Sequence, residues 1–310
     1  MVRVSLIIPT RNRAAMLQQA IASGKSAGDD VEIIVVDDAS SDETASVCEQ
    51  LRGIVYVRLK QNVGQAIARN IGVSKSKAEF LAFLDDDDLR LAGSIDRQVT
   101  LLSSNEQLGL VYGRVHIGDS KTCKPTGEIR PYRCPIGDIF WEFLKGNFIY
   151  VPSVLVRKRH FVAVGLFDPA LRGTEDWDAW IRLAAAHPVD AIDEPVAIYR
   201  DFAPGSDQTS TNRPMMCKVS ALTLAKALRS SRAQQADQST RRKVWSEYMN
   251  LLWDNLVNEG RVALSKRRFH YAAVNFITAV QLNPGRAARP KAIVNFLSDI
   301  VGPFGTKLRK

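Results

Sequence analysis

The chain is poor in cysteine and has neither a long apolar run nor a glycine-rich phosphate loop, and each absence narrows its class. Its four cysteines, Cys48, Cys123, Cys134 and Cys217, stand far apart with no C-x-x-C pair. That argues against a disulfide framework and against a cysteine zinc site. No stretch reaches the roughly 18 uncharged apolar residues of a membrane-spanning helix. The N-terminus enters a strand pattern at once, without the basic-then-apolar run of a secretory leader, so a cytoplasmic protein is expected. Neither G-x-G-x-x-G nor G-x-x-x-x-G-K-[ST] occurs, which removes the common dinucleotide and triphosphate loops.

What is present is a globular composition, 310 residues at 45% hydrophobic and 24% charged, enough for one large domain and an appendage. The net charge of +9 is unevenly placed. Residues 1–200 hold 24 Lys and Arg against 26 Asp and Glu, whereas residues 201–310 hold 18 against 7. A basic segment on a near-neutral domain suits an anionic partner such as a membrane surface, nucleic acid or an acidic polymer. A solvated basic face would read the same way. A nucleic-acid partner rests on that charge alone and is not expected.

Along the first hundred residues, short β-branched runs alternate with helical periods. Strands are expected at 2–8, 32–37, 54–59 and 80–84, and helices at 13–27 and 65–74. Ser40 and Glu43 have the spacing of a capping box opening a helix through Leu51. This alternation predicts an α/β fold, a doubly wound and mostly parallel, Rossmann-like sheet whose ligands gather at the carboxyl ends of the strands. Further strands are expected at 109–115, 148–156 and 196–200, a loop with a short helix over 117–147, and a helix over 174–186. Helices at 214–231, 239–257, 261–282 and 290–301 make a basic helical region. The predicted division is a catalytic domain over 1–205 and a helical accessory region over 206–310.

The strand ends carry the chemistry. Asp85 to Asp88 follow an apolar strand directly, and like charges so close raise one another's pKa unless a cation intervenes. Hard carboxylate oxygens suit Mg²⁺ or Mn²⁺. A solvated acidic turn is the plain alternative, but a second pair, Asp37 and Asp38, ends another strand of the same sheet. In the segment Asn62 to Gly72, Gly64 permits a turn at a helix start and Arg69 offers a phosphate or carboxylate partner.

Five segments together resemble family 2 glycosyltransferases of the GT-A fold: Val4 to Arg13 (VSLIIPTRNR), Ile34 to Thr44 (IVVDDASSDET), Asn62 to Gly72 (NVGQAIARNIG), Phe83 to Asp88 (FLDDDD), and Gly165 to Asp168 (GLFD) leading to Glu175 to Leu183 (EDWDAWIRL). The resemblance covers residues 2–200. It implies a nucleotide-diphosphate-sugar donor, UDP-sugar foremost, a divalent metal, and inversion at the anomeric carbon. Carried over by position, Pro9, Thr10, Asn12, Asp37, Asp38, Asn62 and Gly64 belong to the nucleotide site, with Arg69 toward ribose or phosphates. Asp85 and Asp87 match the D-x-D signature, with Asp87 expected to touch the metal, Asp85 the ribose or a metal-bound water, and Asp86 the nucleotide. Glu175 and Asp176 match the acidic pair that supplies the catalytic base, and Asp176 is the preferred member. Trp177 and Trp180 read as core. One departure is Phe202, where many relatives carry a histidine for metal or diphosphate.

The implied acceptor is a glycan or lipid-linked molecule. In the tail, Gly260, Ala272, Phe276, Ala279 and Pro284 fall at the spacing of one tetratricopeptide-like hairpin. Residues 291–310, apolar at Ile293, Phe296, Leu297, Ile300 and Val301 between basic flanks, suit peripheral contact with the inner membrane face or docking on the chain's own domain. A noncatalytic binding module and a sugar nucleotidyltransferase are the rival readings.

Overall fold

The computed structural model of the chain describes residues 2–202 and 212–288, which fall into two compact units divided between Ala203 and Pro204. In the first, β1 (Val4–Thr10), β2 (Val31–Asp37), β3 (Ile54–Arg58) and β4 (Phe80–Phe83) alternate with α1 (Ala14–Ser26), α2 (Thr44–Gln50) and α3 (Gln65–Lys75). They are followed by β5 (Leu89–Arg90), α4 (Ser94–Ser104), β6 (Leu110–Gly118), β7 (Pro125–Arg130) and α5 (Phe140–Phe143). A 3₁₀ turn (Val151–Ser153), β8 (Val154–Arg157), α6 (Lys158–Ala163), α7 (Glu175–Ala186) and β9 (Val189–Arg200) complete the unit.

The sheet order is β3-β2-β1-β4-β8-β6-β9-β5, with β7 pairing β6. Its first four strands are parallel, as the βα alternation requires. Beyond β4 it is mixed, since β8 runs antiparallel to both β4 and β6 while β9 is parallel to β6. β1 and β4 are buried at every position because helices and sheet neighbours cover both faces. Pro9 lies past the last β1–β4 pair, Ile7 with Phe83, where the strands part and a missing N–H is tolerated.

Several expected elements differ. Ser40 does not cap α2: its hydroxyl accepts the Asn12 N–H at 3.0 Å, and Asp42 takes the Thr44 N–H instead. The strand expected over 148–156 starts only at Val154, because Pro152 holds a 3₁₀ turn before it. The stretch 117–147 contains β7, an exposed edge strand without an apolar face. The last strand is twelve residues rather than five, running through Pro195 with register shifts against β6.

The second unit is helical: α8 (Arg213–Leu228), α9 (Ser231–Gln234), α10 (Gln238–Ser265), α11 (Phe269–Leu282) and α12 (Pro284–Ala287). The break expected near 257–261 is absent, and α10 runs unbroken through Gly260. A Cβ there would stand 2.5 Å from the Phe276 ring, so glycine lets α10 and α11 meet closely. Ala263, Ala272 and Phe276 form the core of that hairpin. The amphipathic segment 290–301 lies outside the described residues, and no helix among those described is long and apolar enough to cross a membrane.

Candidate active site

The site forms where the parallel strands end. Thr10 and Asp37 are register partners, and the Asp38 N–H donates to the Thr10 carbonyl at 2.9 Å. Asn12 and Ala39 adopt positive φ, 54° and 58°, so the chain is strained at both exits from the sheet. Asn12 also accepts the Ser41 N–H at 2.7 Å, tying the two loops together. Asp37, fully buried, accepts from the Tyr56 hydroxyl at 2.7 Å and the Ser40 N–H at 2.8 Å. Asp38 takes the N–H groups of Val63 and Gly64 at 2.7 and 2.9 Å, at the entry to α3. Gly64 has φ 88°, a conformation that favours glycine, and its N–H also reaches the Asn62 side chain at 3.1 Å.

α3 faces the sheet with Ala66, Arg69, Gly72 and Val73, a helical i, i+3, i+4 stripe in which one member is charged. Gly72 permits this approach, since a Cβ there would run into the Ile7 side chain. Arg69, 1% exposed, therefore needs partners inside, and it has two: Asp85 at 2.5 Å and Glu175 at 2.9 Å. Rather than standing open to an anion, its guanidinium joins the D-x-D loop to the first turn of α7. Gln65 adds a hydrogen bond to Asp85 at 2.8 Å, and the Gly173 N–H one to Glu175 at 2.6 Å. Next to Arg69, Asn70 clamps both backbone groups of Phe167 at 2.8 and 3.0 Å. Arg182 grips the carbonyls of Val164, Gly165 and Leu166. The two last motifs of the sequence are thus one folded piece.

The remaining aspartates are each engaged. Asp86 accepts from the Thr10 hydroxyl at 2.7 Å and from Arg13 at 2.9 Å, and the same Arg13 nitrogen reaches Asp87 at 2.5 Å. Burial, opposed by Arg13, lifts the Asp86 pKa to about 7. Burial and then the Asp85 charge raise Asp87, and burial with the Asp87 charge holds Asp88 well above the carboxylate range. Asp88 accepts the Arg200 N–H at 2.8 Å through one oxygen, while its other is buried without a partner among the described residues. Arg200 also donates to the Asp87 carbonyl at 2.7 Å. Oxygens of Asp85, Asp87 and Asp88 lie within 4.8 Å of one another, a spacing a divalent cation can span.

Asp176, half-buried in the first turn of α7, accepts from the Asn147 amide at 3.0 Å. The helix dipole favours its anion, but burial and then the adjacent Glu175 charge prevail and raise its pKa to about 7. Trp177 and Trp180 are core, at 1% and 0% exposure. Trp180 packs edge-on to Phe167 at 5.8 Å, and the Trp177 indole N–H donates to the Phe143 carbonyl.

Side chains at the ends of β1 and β4 therefore meet through Thr10, Arg13, Asp86 and Asp87, and Arg69 links the β4 loop to Glu175 in the acidic turn of α7. The sequence reading passed over Arg13, Asp88, Asn147 and Arg200. Asp88 was visible as the fourth member of its run. The other three have roles set by partners 29 to 113 residues away, for which no local signal exists.

Comparison with known proteins gives the family. The family model described as Glycosyl transferase family 2 matches residues 5–162. An uncharacterized glycosyltransferase of Rickettsia typhi is 29% identical over 188 residues, 58% of this chain and 58% of the relative, so the chain spans a little over half of that protein. The GalNAc(5)-diNAcBac-PP-undecaprenol beta-1,3-glucosyltransferase of Campylobacter jejuni is 39% identical over 120 residues, 36% of this chain and 38% of that one. Among solved structures, S. aureus TarS 1-349 in complex with UDP-GlcNAc superposes with TM-score 0.61 at 15% identity, covering 90% of both chains. The mannosyltransferase PcManGT from Pyrobaculum calidifontis in complex with GDP-Man and Mn²⁺ gives 0.57 at 16%, over 90% of this chain and 86% of its own. These two show the GT-A fold. With strand-end acids, D-x-D loop and matching family model in hand, we conclude that the chain belongs to glycosyl transferase family 2.

Proposed function

We propose that the protein is a metal-dependent, inverting glycosyltransferase that moves a sugar from a nucleotide-diphosphate donor, a UDP-sugar foremost, to a hydroxyl of a polysaccharide or lipid-linked glycan. One observation carries the reading. Arg69 joins Asp85 of the D-x-D loop to Glu175, so an acid suited to the donor is tied to the residue next to Asp176, the acid suited to the acceptor. The ligands named for the TarS and PcManGT structures support a nucleotide-sugar donor, and the Campylobacter relative's name supports a lipid-linked acceptor.

In this reading Thr10, Asn12, Asp37, Asp38, Asn62 and Gly64, with Pro9 shaping the strand end, frame the nucleotide. Asp86 faces it from the β4 loop. Asp85 and Asp87, with Asp88 added by the geometry, fit a hard divalent cation, Mn²⁺ or Mg²⁺, because three carboxylates converge and one buried Asp88 oxygen lacks a partner among the described residues. When bound, such an ion screens the charge that develops on a departing diphosphate. Phe202 offers no ligand in place of the relatives' histidine.

Asp176 is the proposed base. An alcohol is too weak an acid to ionise near neutrality, so its proton must leave as it attacks. A carboxylate with a pKa near 7 is a stronger base than an ordinary aspartate while still half ionised at that pH. Asn147 donates to one Asp176 oxygen and so helps to orient the carboxylate toward the incoming hydroxyl. A single displacement without a covalent sugar-enzyme intermediate inverts configuration.

Thermal-shift measurements with UDP, dTDP and GDP and their sugars, each with and without Mn²⁺ or Mg²⁺, test the donor half. Stabilisation requiring one nucleotide and a metal together is the expected result. A noncatalytic module would bind a donor yet turn over none, and a nucleotidyltransferase would respond to a nucleoside triphosphate with a sugar phosphate.

A further inference from the structure

Within the helical unit, α8, α9 and the start of α10 border an open surface hollow of about 480 Å³ lined by Leu228, Gln234, Gln238, Arg241, Arg242 and Trp245. That volume is in the range of small-molecule sites. Its back wall is fixed: the Gln234 amide donates to the Leu228 carbonyl at 2.8 Å while its oxygen accepts from Arg241. Neither Arg241 nor Arg242 has a carboxylate partner among the described residues, and no acidic residue lines the hollow. Nor do the cations serve the helix start, since Asp237 already takes the Thr240 N–H at 2.9 Å. One turn on, Trp245 lines the same space and is 38% exposed, an indole left uncovered.

We propose that this hollow binds a phosphorylated saccharide. Two guanidinium groups suit the bidentate geometry of a phosphate. An exposed indole offers a flat apolar face to a sugar ring, and the Gln238 amide can both donate to and accept from hydroxyls. A membrane surface offers phosphate without a free sugar ring to stack on Trp245, and the vesicle titration below separates it from a sugar phosphate. The site shares no residue with the strand-end acids and does not depend on their proposed chemistry.

The test uses the full chain carrying Asp85→Asn and Asp87→Asn, so that the strand-end site is disabled, and titrates it calorimetrically with glucose 1-phosphate, glucose and inorganic phosphate. Glucose 1-phosphate is expected to bind at least about tenfold more tightly than either fragment. That affinity should fall about tenfold or more in Arg241→Ala/Arg242→Ala and in Trp245→Ala, and less in Arg241→Lys/Arg242→Lys, which keeps charge but loses the fork. Unchanged helicity by circular dichroism shows that the variants are folded, and the lysine pair serves should the alanine pair not fold. The proposal is overturned if the variants bind as the parent does, if phosphate alone binds as well as the sugar phosphate, or if phosphatidylglycerol vesicles bind through these residues while glucose 1-phosphate does not.

Discussion

The two units use charge in opposite ways. The first is nearly neutral in total yet buries Asp37, Asp38, Arg69, Asp86, Asp87, Asp88, Arg90, Arg157, Glu175, Asp178 and Arg200. The second carries the chain's positive excess, but its buried polar residues among those described are only Thr223, Asn275 and Thr278. Net charge thus points away from the chemistry. Burying an ion costs several kcal/mol unless it is paired, so a fold keeps such groups inside only where their arrangement is used or fully satisfied. In the helical unit, charge on the surface contributes little to stability and remains available to ligands.

The sharpest test of this contrast is Asp176→Asn. Turnover should fall by about 10³-fold, within the range for loss of a general base, while donor affinity stays within about twofold. In the parent protein, kcat/KM should rise with pH through about 7, where Asp176 ionises. A profile flat from pH 5 to 9 would remove the base assignment. Next in size is Arg69→Met, which strands Asp85 and Glu175. Urea unfolding should show a loss of about 3 kcal/mol or more, and a loss below about 1 kcal/mol would mean that the buried pairs do not support the first unit.

In the helical unit, where packing replaces buried charge, Gly260→Val should press on the Phe276 ring and cost about 1–3 kcal/mol without altering donor binding. A smaller effect has an unusual sign. Burial places the Asp176 pKa near 7 in the folded chain, above its ordinary value near 4, so its ionisation disfavours folding increasingly as pH rises between those values. Asp176→Asn should therefore raise Tm by about 2–4 °C at pH 8 and hardly at pH 4. Smallest of all, exposed Lys218→Gln in α8 should change stability by less than about 0.5 kcal/mol. A larger change there would break the contrast from the other side.

Legibility in the sequence followed the same divide between local and distant causes. The parallel half could be read because each strand is a short apolar run bounded by a helical period, a signal contained within about ten residues. β7 was missed because PTGEIR lies exposed at an edge and has no apolar face to repeat. β9 was shortened to its last five residues because Asp193, Glu194 and Pro195 interrupt the pattern, and the structure accommodates them with register shifts opposite Gly113 and Arg114. The acids were legible from residue type and strand-end position. The cations were not: Arg13 opens the helix expected over 13–27 with nothing in its own segment to show that Asp86 and Asp87 fold back onto it.

Arg69 has a further consequence. Because a single side chain satisfies acids contributed by segments about ninety residues apart, neither segment can be altered in isolation. Retuning preference for one reactant would redistribute the arginine's hydrogen bonds and disturb the grip on the other. Diversification of such a protein should then proceed through the loops bordering the network, with its centre held fixed.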